Sequence, residues 1–236
     1  MSSSPHPDAE PKLATVARAR TPFREKFAIP RQAALLQHTR ASFDFSDPHH
    51  AREALRGLEA FSHLWVISWM HLAEDRGPSV RPPRLGGNTR IGVWACRSPF
   101  RPNPIGLSLC RIIRVDADKG ILEVAGLDLV DGSPIIDLKP FIPYADSAPE
   151  ANGAWTSEGG PKALKVAFSV EAEAVVRASR IPDLLASLRE ILGQDPRPAY
   201  HDDPERIYGV GLYDWNIRFQ VKGEELLVIE MLKLGV

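Results

Sequence analysis

The chain has 236 residues and a net charge of −1, and its content of 44% hydrophobic and 25% charged residues is typical of a globular protein with a substantial core. The longest mostly apolar run, Leu64–Met70, is too short to span a membrane, and the N-terminus lacks the apolar segment of a secretory signal. Only Cys96 and Cys110 are present, which argues against a disulfide scaffold or a cysteine metal site and favours a reduced, cytoplasmic location. We expect residues 1–11 to form a disordered tail.

The first half of the chain consists of short strand-like segments separated by proline and glycine. One helix is predicted among them, because Asp47 can cap its N-terminus, Pro48 suits its first turn and Gly57 suits its end. Many short strands with few helices predict an antiparallel β-barrel over residues 12–146. The predicted strands are Ala14–Arg20, Ala33–Leu36, Ser62–His71, Ile91–Ala95, Leu107–Val115, Ile121–Leu127 and Pro134–Leu138.

The second half begins after a Gly/Ala/Ser/Pro-rich segment, residues 147–163, which predicts a linker. A strand over Leu164–Val170 and a helix over Pro182–Leu192, ended by Gly193, are expected to follow. Together with three closing strands they predict a small C-terminal α+β domain over residues 164–236, so the whole chain should be mainly β. The closing strands are Ile207–Tyr213, Asn216–Lys222 and Glu225–Met231.

Basic and acidic residues are segregated along the chain. Pro11–Arg114 contains 17 Lys and Arg against 7 Asp and Glu, whereas Val115–Val236 contains 12 against 21. The stretch Arg76–Val115 holds eight arginines and no acidic residue. Such a stretch is typical of a face that binds a polyanion through phosphate contacts. The alternative is that the two halves dock on each other and neutralise their charges in place.

Three segments have unusual composition. Phe23–Gln32 mixes charged, aromatic and proline residues and predicts a loop, whereas Arg97–Gly106 places three prolines within six residues and predicts a rigid loop whose arginines are pre-organised for an anion. In Asp128–Pro140, Asp131–Gly132 predicts a tight turn, and by itself the segment would be a hairpin. No glycine-rich phosphate-binding motif follows a strand, so a nucleotide-like cofactor would bind outside a doubly wound fold.

These segments resemble the TrmO-type family of tRNA methyltransferases, formerly a group of uncharacterised small β-barrel proteins. The longest similar stretches are RSPFRPNPIG, starting at Arg97, and DLVDGSPIIDLKP, starting at Asp128. The resemblance covers nearly all of the chain after the first dozen residues. It also includes FSHLW at Phe61, RPPRLGG at Arg81, QDPRPAY at Gln194 and YDWN at Tyr213.

The resemblance implies a barrel domain that binds S-adenosylmethionine and transfers its methyl group to N6 of threonylcarbamoyl-adenosine at position 37 of threonine tRNA. It also implies a homodimer with cofactor pockets near the subunit contact. Leu72 is a departure, because relatives can carry a polar residue there. The implied cofactor contacts are Pro30, Arg31, Gln32, His71, Leu72, Arg97, Leu107, Asp131, Gly132, Ser133, Pro134 and Ile135.

The residue types suit the cofactor chemically. Arg31 or Arg97 can hold its carboxylate, and Asp131 can accept a hydrogen bond from the ribose or the amino group. Leu107 and Ile135 can sandwich the adenine, while Gln32 and the backbone around Gly132 can supply hydrogen bonds. Asp131 and His71 are both candidates for a proton acceptor, and we assign no general base from the sequence.

A tRNA would be bound by the arginine-rich stretch, with phosphates held by arginines and a loop base stacked on Phe100. Arg101→Ala is expected to weaken tRNA binding, to reduce its salt dependence and to leave cofactor binding near normal. The expected RNA contacts are Arg84, Arg90, Phe100 and Arg101, together with Arg97.

Several of these residues have plainer interpretations. His71 can be a hydrogen-bonded structural histidine, and Trp65 and Trp69 are expected in the core. Asp137 and Lys139 can form a surface ion pair. Tyr200 can pack between the domains or touch RNA.

Two other functions remain open at this point. A non-catalytic tRNA-binding module would keep the fold and the basic residues but would not bind the cofactor. A methyltransferase that acts on a small molecule would have no need of the charge segregation.

Overall fold

The computed structural model describes residues 12–30, 32–82, 85–157, 163–197 and 203–235. The predicted tail at residues 1–11 lies outside the described residues, as do Arg31, Arg84 and Tyr200. The strands are β1 (Ala17–Arg20), β2 (Arg40–Phe45), β3 (His63–Trp69), β4 (Ser79–Val80), β5 (Ile91–Gly92), β6 (Ile105–Asp116), β7 (Ile121–Ala125), β8 (Pro134–Pro140), β9 (Lys165–Phe168), β10 (Tyr208–Leu212), β11 (Trp215–Lys222) and β12 (Glu225–Lys233). The helices are α1 (Pro48–Ala54), α2 (Pro143–Asp146), α3 (Val170–Ala178) and α4 (Leu184–Leu192).

Six strands of the first half close into an antiparallel barrel in the order β1-β2-β7-β6-β3-β8, which confirms the predicted fold class. Side chains alternate between the interior and the exterior, as the two-residue period of a strand requires. Ala17 and Ala19 of β1 and Leu64 and Val66 of β3 are completely buried in the barrel core. This core is separate from the apolar core of the second half.

The connection from β7 to β8 is not the simple hairpin that the segment after Asp128 suggests. β7 pairs with β2 and β6, whereas β8 pairs with β1 and β3. The residues between β7 and β8 therefore cross one end of the barrel. Gly132 lies in this crossing with a φ of 78°, a conformation that favours glycine.

The second half is a four-stranded sheet in the order β10-β11-β12-β9, in which β9 runs parallel to β12. Helix α3 contacts β9 and β12, and α4 contributes its apolar face, including Leu188 and Leu192, to the core. The same core buries Phe23 and Leu36, which precede β2 in the chain. Side chains from the first half thus complete the core of the second half.

The sequence predicted the larger elements better than the smaller ones. Helix α1 begins as expected, with Asp47 accepting hydrogen bonds from the backbone N–H of His49 and His50. The predicted strand at Ala33–Leu36 is wrong, since Ala33–Leu35 form a single 3₁₀ turn. Strand β2 and helix α3 were not predicted. None of the helices in the described part of the chain is long and apolar enough to cross a membrane.

Candidate functional site

One end of the barrel brings together most of the segments expected to bind the cofactor. At this end Pro134 pairs with Arg18 of β1, and Ile135 pairs with Ser68 near the end of β3. Trp69, the last residue of β3, pairs with Ile105 at the start of β6. The loops that contain His71, Arg97 and Asp131 therefore leave the barrel at the same rim.

The turn at Asp131–Gly132 is fixed to β1 and to the segment that follows it. The Asp131 N–H donates to Phe23 O over 2.7 Å, and the Gly132 N–H donates to Ala19 O over 2.8 Å. The Asp131 carboxylate accepts from the Thr21 N–H over 3.0 Å and lies 3.6 Å from the Arg20 guanidinium. This carboxylate is half-exposed and already oriented, so it can still accept a hydrogen bond from a ligand.

Gln32 and Arg97 meet across the rim. The Arg97 guanidinium donates to the Gln32 side-chain oxygen over 3.0 Å, and both residues are expected cofactor contacts. Pro30, on the same segment as Gln32, is buried. The neighbouring expected contact, Arg31, lies outside the described residues.

Beneath this pair lies a carboxyl group that sequence reasoning missed as a site residue. Burial raises the pKa of Asp128, and four groups act against that rise: the Ser108 hydroxyl, the backbone N–H of Asp128 itself, the charge of Arg97 and the Ala33 backbone N–H. The Ser108 hydroxyl donates to the Asp128 carboxylate over 2.5 Å. Asp128 thus connects three segments that contain or adjoin expected cofactor contacts. Its place in the Asp128–Pro140 motif, before the turn, was the available signal.

The barrel interior next to Asp128 is unusually polar. Ser68, Ser108 and Cys110 all point inward, and the Ser68 hydroxyl is fully buried without a hydrogen-bond partner in the described residues. A side chain at Gly106 would place its Cβ 2.4 Å from the Ser68 Oγ, so the Ser68 hydroxyl would have to move to admit it. Burial raises the pKa of the Cys110 thiol, which suits a buried structural cysteine rather than a nucleophile.

His71 and Leu72 form an exposed turn directly after β3. Partial burial lowers the pKa of His71, and the charges of Arg18 and Lys26 lower it further. The Lys26 ammonium donates to the Leu72 carbonyl oxygen. In the described structure the His71 ring makes no hydrogen bond, so the interpretation as a hydrogen-bonded structural histidine is not supported.

The expected apolar contacts fall on opposite sides of the barrel wall. Leu107 is 52% exposed on the outer face, whereas Ile135 is completely buried in the barrel core. An adenine sandwiched between these two side chains would require the core to open, so of the two only Leu107 offers its side chain to a ligand. Ser133 is also buried, and its carbonyl accepts from Ala19 N–H over 3.0 Å.

Two tryptophans expected in the core are also on the outer face of β3. Trp65 and Trp69 are only partly buried, and the Trp65 indole donates to Asp146 over 3.2 Å. The inward positions of β3 are taken by Leu64, Val66 and Ser68, so the strand period places the tryptophans outside. The expected Asp137–Lys139 ion pair is confirmed, with 2.8 Å between the charged atoms.

The rigid loop from Arg97 to Pro104 contains no helix or strand, as the prolines predict. Arg101 organises this loop, because its guanidinium donates to the carbonyl oxygens of Val93, Cys96 and Ser98. These bonds use the Nε and Nη2 donors, so we favour a structural role for Arg101 in the loop, and the expected phosphate contact stays a prediction.

The two other described RNA candidates are Phe100, which lies within this loop, and Arg90. The Arg76 guanidinium lies 4.0 Å from the centre of the Phe100 ring, so one face of that ring is already covered. Arg90 is exposed and donates to the Ser79 hydroxyl over 3.3 Å.

The structure confirms that part of the charge segregation is neutralised between the two halves, whereas binding of a polyanion by the arginine-rich stretch stays a prediction. Two arginines near the start of the chain form ion pairs with acidic residues of the second half. Arg24 pairs with Asp214 over 2.7 Å, and Arg40 pairs with Asp183 over 2.8 Å. In the arginine-rich stretch, by contrast, Arg114 is the one described arginine that pairs with carboxylates. The other described arginines of that stretch donate to neutral groups, lie over a ring or face solvent; they are Arg76, Arg81, Arg90, Arg97, Arg101 and Arg111.

The barrel and the domain that follows it both match family models of one class of proteins, the tRNA methyltransferases. The two halves match family models over residues 18–147, the tRNA-methyltransferase O N-terminal domain, and over residues 161–234, the TrmO C-terminal domain. The chain therefore belongs to the TrmO family.

Individual relatives agree with this assignment. The chain is 43% identical over 221 residues to the tRNA (adenine(37)-N6)-methyltransferase of Escherichia coli, covering 89% of this chain and 94% of that protein. It is 39% identical over 221 residues to a Pseudomonas aeruginosa protein that carries the provisional name of S-adenosylmethionine-dependent methyltransferase RcsF, covering 91% of this chain and 94% of that protein. A crystal structure of TrmO from Pseudomonas aeruginosa superposes with a TM-score of 0.79 at 31% identity, covering 95% of this chain and 98% of the other.

Proposed function

We propose that this protein uses S-adenosylmethionine to methylate N6 of threonylcarbamoyl-adenosine at position 37 of threonine tRNA. Its family membership and the name of its Escherichia coli relative support methylation of adenine 37 in tRNA. The modified nucleoside and the threonine tRNA are the finer part of the proposal. The observation that carries it is the row of arginines, without ion pairs among the described residues, beside the rim that gathers the expected cofactor contacts.

The cofactor would lie at this rim, between the Gln32–Arg97 pair and the Asp131–Gly132 turn. Arg97 offers a guanidinium to the cofactor carboxylate, and Asp131 offers an oriented acceptor to a hydroxyl or amino group. Leu107 supplies an exposed apolar surface. When bound, S-adenosylmethionine supplies an activated methyl group on a sulfonium, so the protein has chiefly to align donor and acceptor.

The acceptor nitrogen must lose its proton, and the two candidate groups differ in their surroundings. The Asp131 carboxylate already accepts from the Thr21 N–H and lies 3.6 Å from the Arg20 guanidinium. His71 has a lowered pKa and is therefore neutral at pH 7, with a ring nitrogen free to accept. His71 is the better proton acceptor of the two on these grounds.

We further propose that the protein acts as a homodimer in the cytoplasm. The outer face of the β3–β6 pair carries Ile105 and Leu107, which are 45% and 52% exposed, beside Ile67 and Trp69. An apolar face of this kind suits contact with a second copy. Ile105→Glu should convert a dimer to a monomer in light scattering, whereas a wild-type monomer would contradict this part of the proposal.

The barrel, over residues 12–146, would hold the cofactor, and the domain over residues 164–236 would support it. Contacts between α4 and the segment around Gln37 support this supporting role of the second domain. Glu190 of α4 accepts from the backbone N–H groups of Gln37 and His38, over 2.9 Å each, and from the His38 ring over 2.7 Å.

The decisive experiment supplies methyl-labelled S-adenosylmethionine and two threonine tRNAs, one with threonylcarbamoyl-adenosine at position 37 and one with plain adenosine. We expect label on the modified tRNA alone. Label on neither, with cofactor binding confirmed by calorimetry, would point to a small-molecule acceptor. Tight tRNA binding without cofactor binding would leave a non-catalytic RNA-binding module.

A further inference from the structure

Two cations approach the rim without a carboxylate partner among the residues that the structure describes. Arg18, on the outer face of β1, donates to the Gly132 carbonyl over 3.0 Å, and Lys26 donates to the Leu72 carbonyl. Both act electrostatically on His71, which lies next to Leu72. Within the described residues neither cation forms an ion pair, so two positive charges flank one imidazole uncompensated.

Their immediate neighbours in the chain are compensated. Arg20, two residues after Arg18 and on the same face of β1, pairs with Asp44 over 2.5 Å. Arg24, two residues before Lys26, pairs with Asp214 over 2.7 Å. Since like charges repel and cations on folded surfaces commonly find acidic partners, the unpaired set marks a place where an anion can bind.

The cofactor's carboxylate already has candidates in Arg31 and Arg97, which leaves these two cations for a second anion. A threonylcarbamoyl group carries a free carboxylate only a few bonds from the N6 atom that receives the methyl. Because N6 must lie in line with the methyl and the sulfur, that carboxylate must come close to the rim. We propose that Arg18 and Lys26 bind the carboxylate of the threonylcarbamoyl group and so select the modified adenosine. This inference rests on the proposed function.

The test compares the double variant Arg18→Gln/Lys26→Gln with a control that removes the same charge, Arg114→Gln/Arg177→Gln, whose arginines are neutralised by carboxylates. Three quantities are measured: the cofactor Kd by calorimetry, kcat/KM with tRNA bearing threonylcarbamoyl-adenosine, and kcat/KM with the same tRNA whose threonyl carboxylate has been converted to an amide.

For the double variant we expect a cofactor Kd within about twofold of wild type and a fall in kcat/KM of at least about tenfold on the acid substrate. On the amide substrate the kcat/KM of the variant and of the wild type should agree within about twofold, because the amide lacks the negative charge that Arg18 and Lys26 would bind. The control should match wild type throughout.

Three results would overturn the proposal. A tenfold weaker cofactor Kd in the double variant would assign the cations to the cofactor, and an equal loss on acid and amide substrates would assign them to RNA phosphates. A wild-type enzyme that binds the cofactor but methylates neither substrate would show that the proposed function itself has failed. That last result is obtained before any variant is made, so the two failures are distinguishable.

Discussion

Two groups of basic residues differ in what balances their charge. Arg24 and Arg40 face the second half of the chain and are paired there with Asp214 and Asp183. Arg90 and Arg97 of the arginine-rich stretch contact neutral groups instead. The first group holds the two halves together, and the second remains available to an anion. Composition alone could not separate them, because partner choice depends on the fold.

The largest effect is expected at Arg97. Arg97→Ala removes a charged hydrogen-bond donor from the rim and should lower kcat/KM by about 100-fold, equivalent to roughly 2–3 kcal/mol. The free energy of unfolding should change by less than about 0.5 kcal/mol. Urea unfolding and steady-state methylation measure the two quantities. Arg40→Ala is the matched control, and an equal loss of activity there would abolish the distinction between the groups.

The opposite result, a loss of stability without a loss of activity, is expected at Glu190 of α4. Glu190→Ala leaves the backbone N–H groups of Gln37 and His38 without their acceptor and should lower the free energy of unfolding by about 2 kcal/mol. Methylation per folded molecule should stay near wild type at low temperature. Urea denaturation followed by tryptophan fluorescence provides the measurement, and unchanged stability would show that the contact is dispensable.

Arg101 should behave as a loop-organising residue. Arg101→Ala releases the carbonyl oxygens of Val93, Cys96 and Ser98 and should lower kcat/KM by about tenfold by loosening the rigid loop. The slope of log Kd for tRNA against log salt should not change. A slope reduced by about one unit would restore a direct phosphate contact.

Arg81 and Arg90 should show the reverse pattern, a small electrostatic effect without loss of structure. Replacing either with glutamine should weaken tRNA binding only a few-fold and reduce the salt slope by roughly 0.7–0.9 if each neutralises one phosphate. Arg114→Gln, whose arginine is already paired with Asp116 and Glu123, should leave the slope unchanged. Filter binding at several salt concentrations measures all three variants.

A subtler test concerns Asp128, a carboxyl near enough to Arg97 for their charges to interact. Because its pKa is raised in the folded state, the folded chain binds a proton that the unfolded chain releases near its ordinary pKa. The free energy of unfolding should therefore fall as the pH rises from the ordinary aspartate pKa through the raised value. Asp128→Asn should remove that part of the pH dependence. If the free energy of unfolding depended on pH in the same way in the variant and the wild type, this prediction would be wrong.

The sequence predicted the barrel because its strands are regular and separated by strong turn residues. It missed β2, whose two inward residues, Ala41 and Phe43, give a weak alternation, and it missed α3 although Ser169 is a good N-cap. The short apolar run at Ala33–Leu36 was misassigned because such runs carry no clear period.

The candidate site was predicted less completely than the fold. Long motifs pointed to its loops, but the alternation of β3 and β8 decided which side chains face outward, and register cannot be obtained from composition. Asp128, Arg18 and Lys26 were missed because their importance comes from neighbours far away in the chain. The positions of the assigned contacts around a bound cofactor stay predictions.

Phe23 and Leu36 are buried in the core of the second half, and the expected cofactor contacts from Pro30 to Gln32 lie between them. Pro30 and Gln32 therefore lie on a segment tethered at both ends, and their ordering entropy is lost on folding rather than on ligand binding. A domain that supplies none of the expected cofactor contacts would in this way raise cofactor affinity. By thermodynamic linkage, saturating S-adenosylmethionine should slow amide hydrogen exchange in β10–β12, a sheet that the cofactor need not touch.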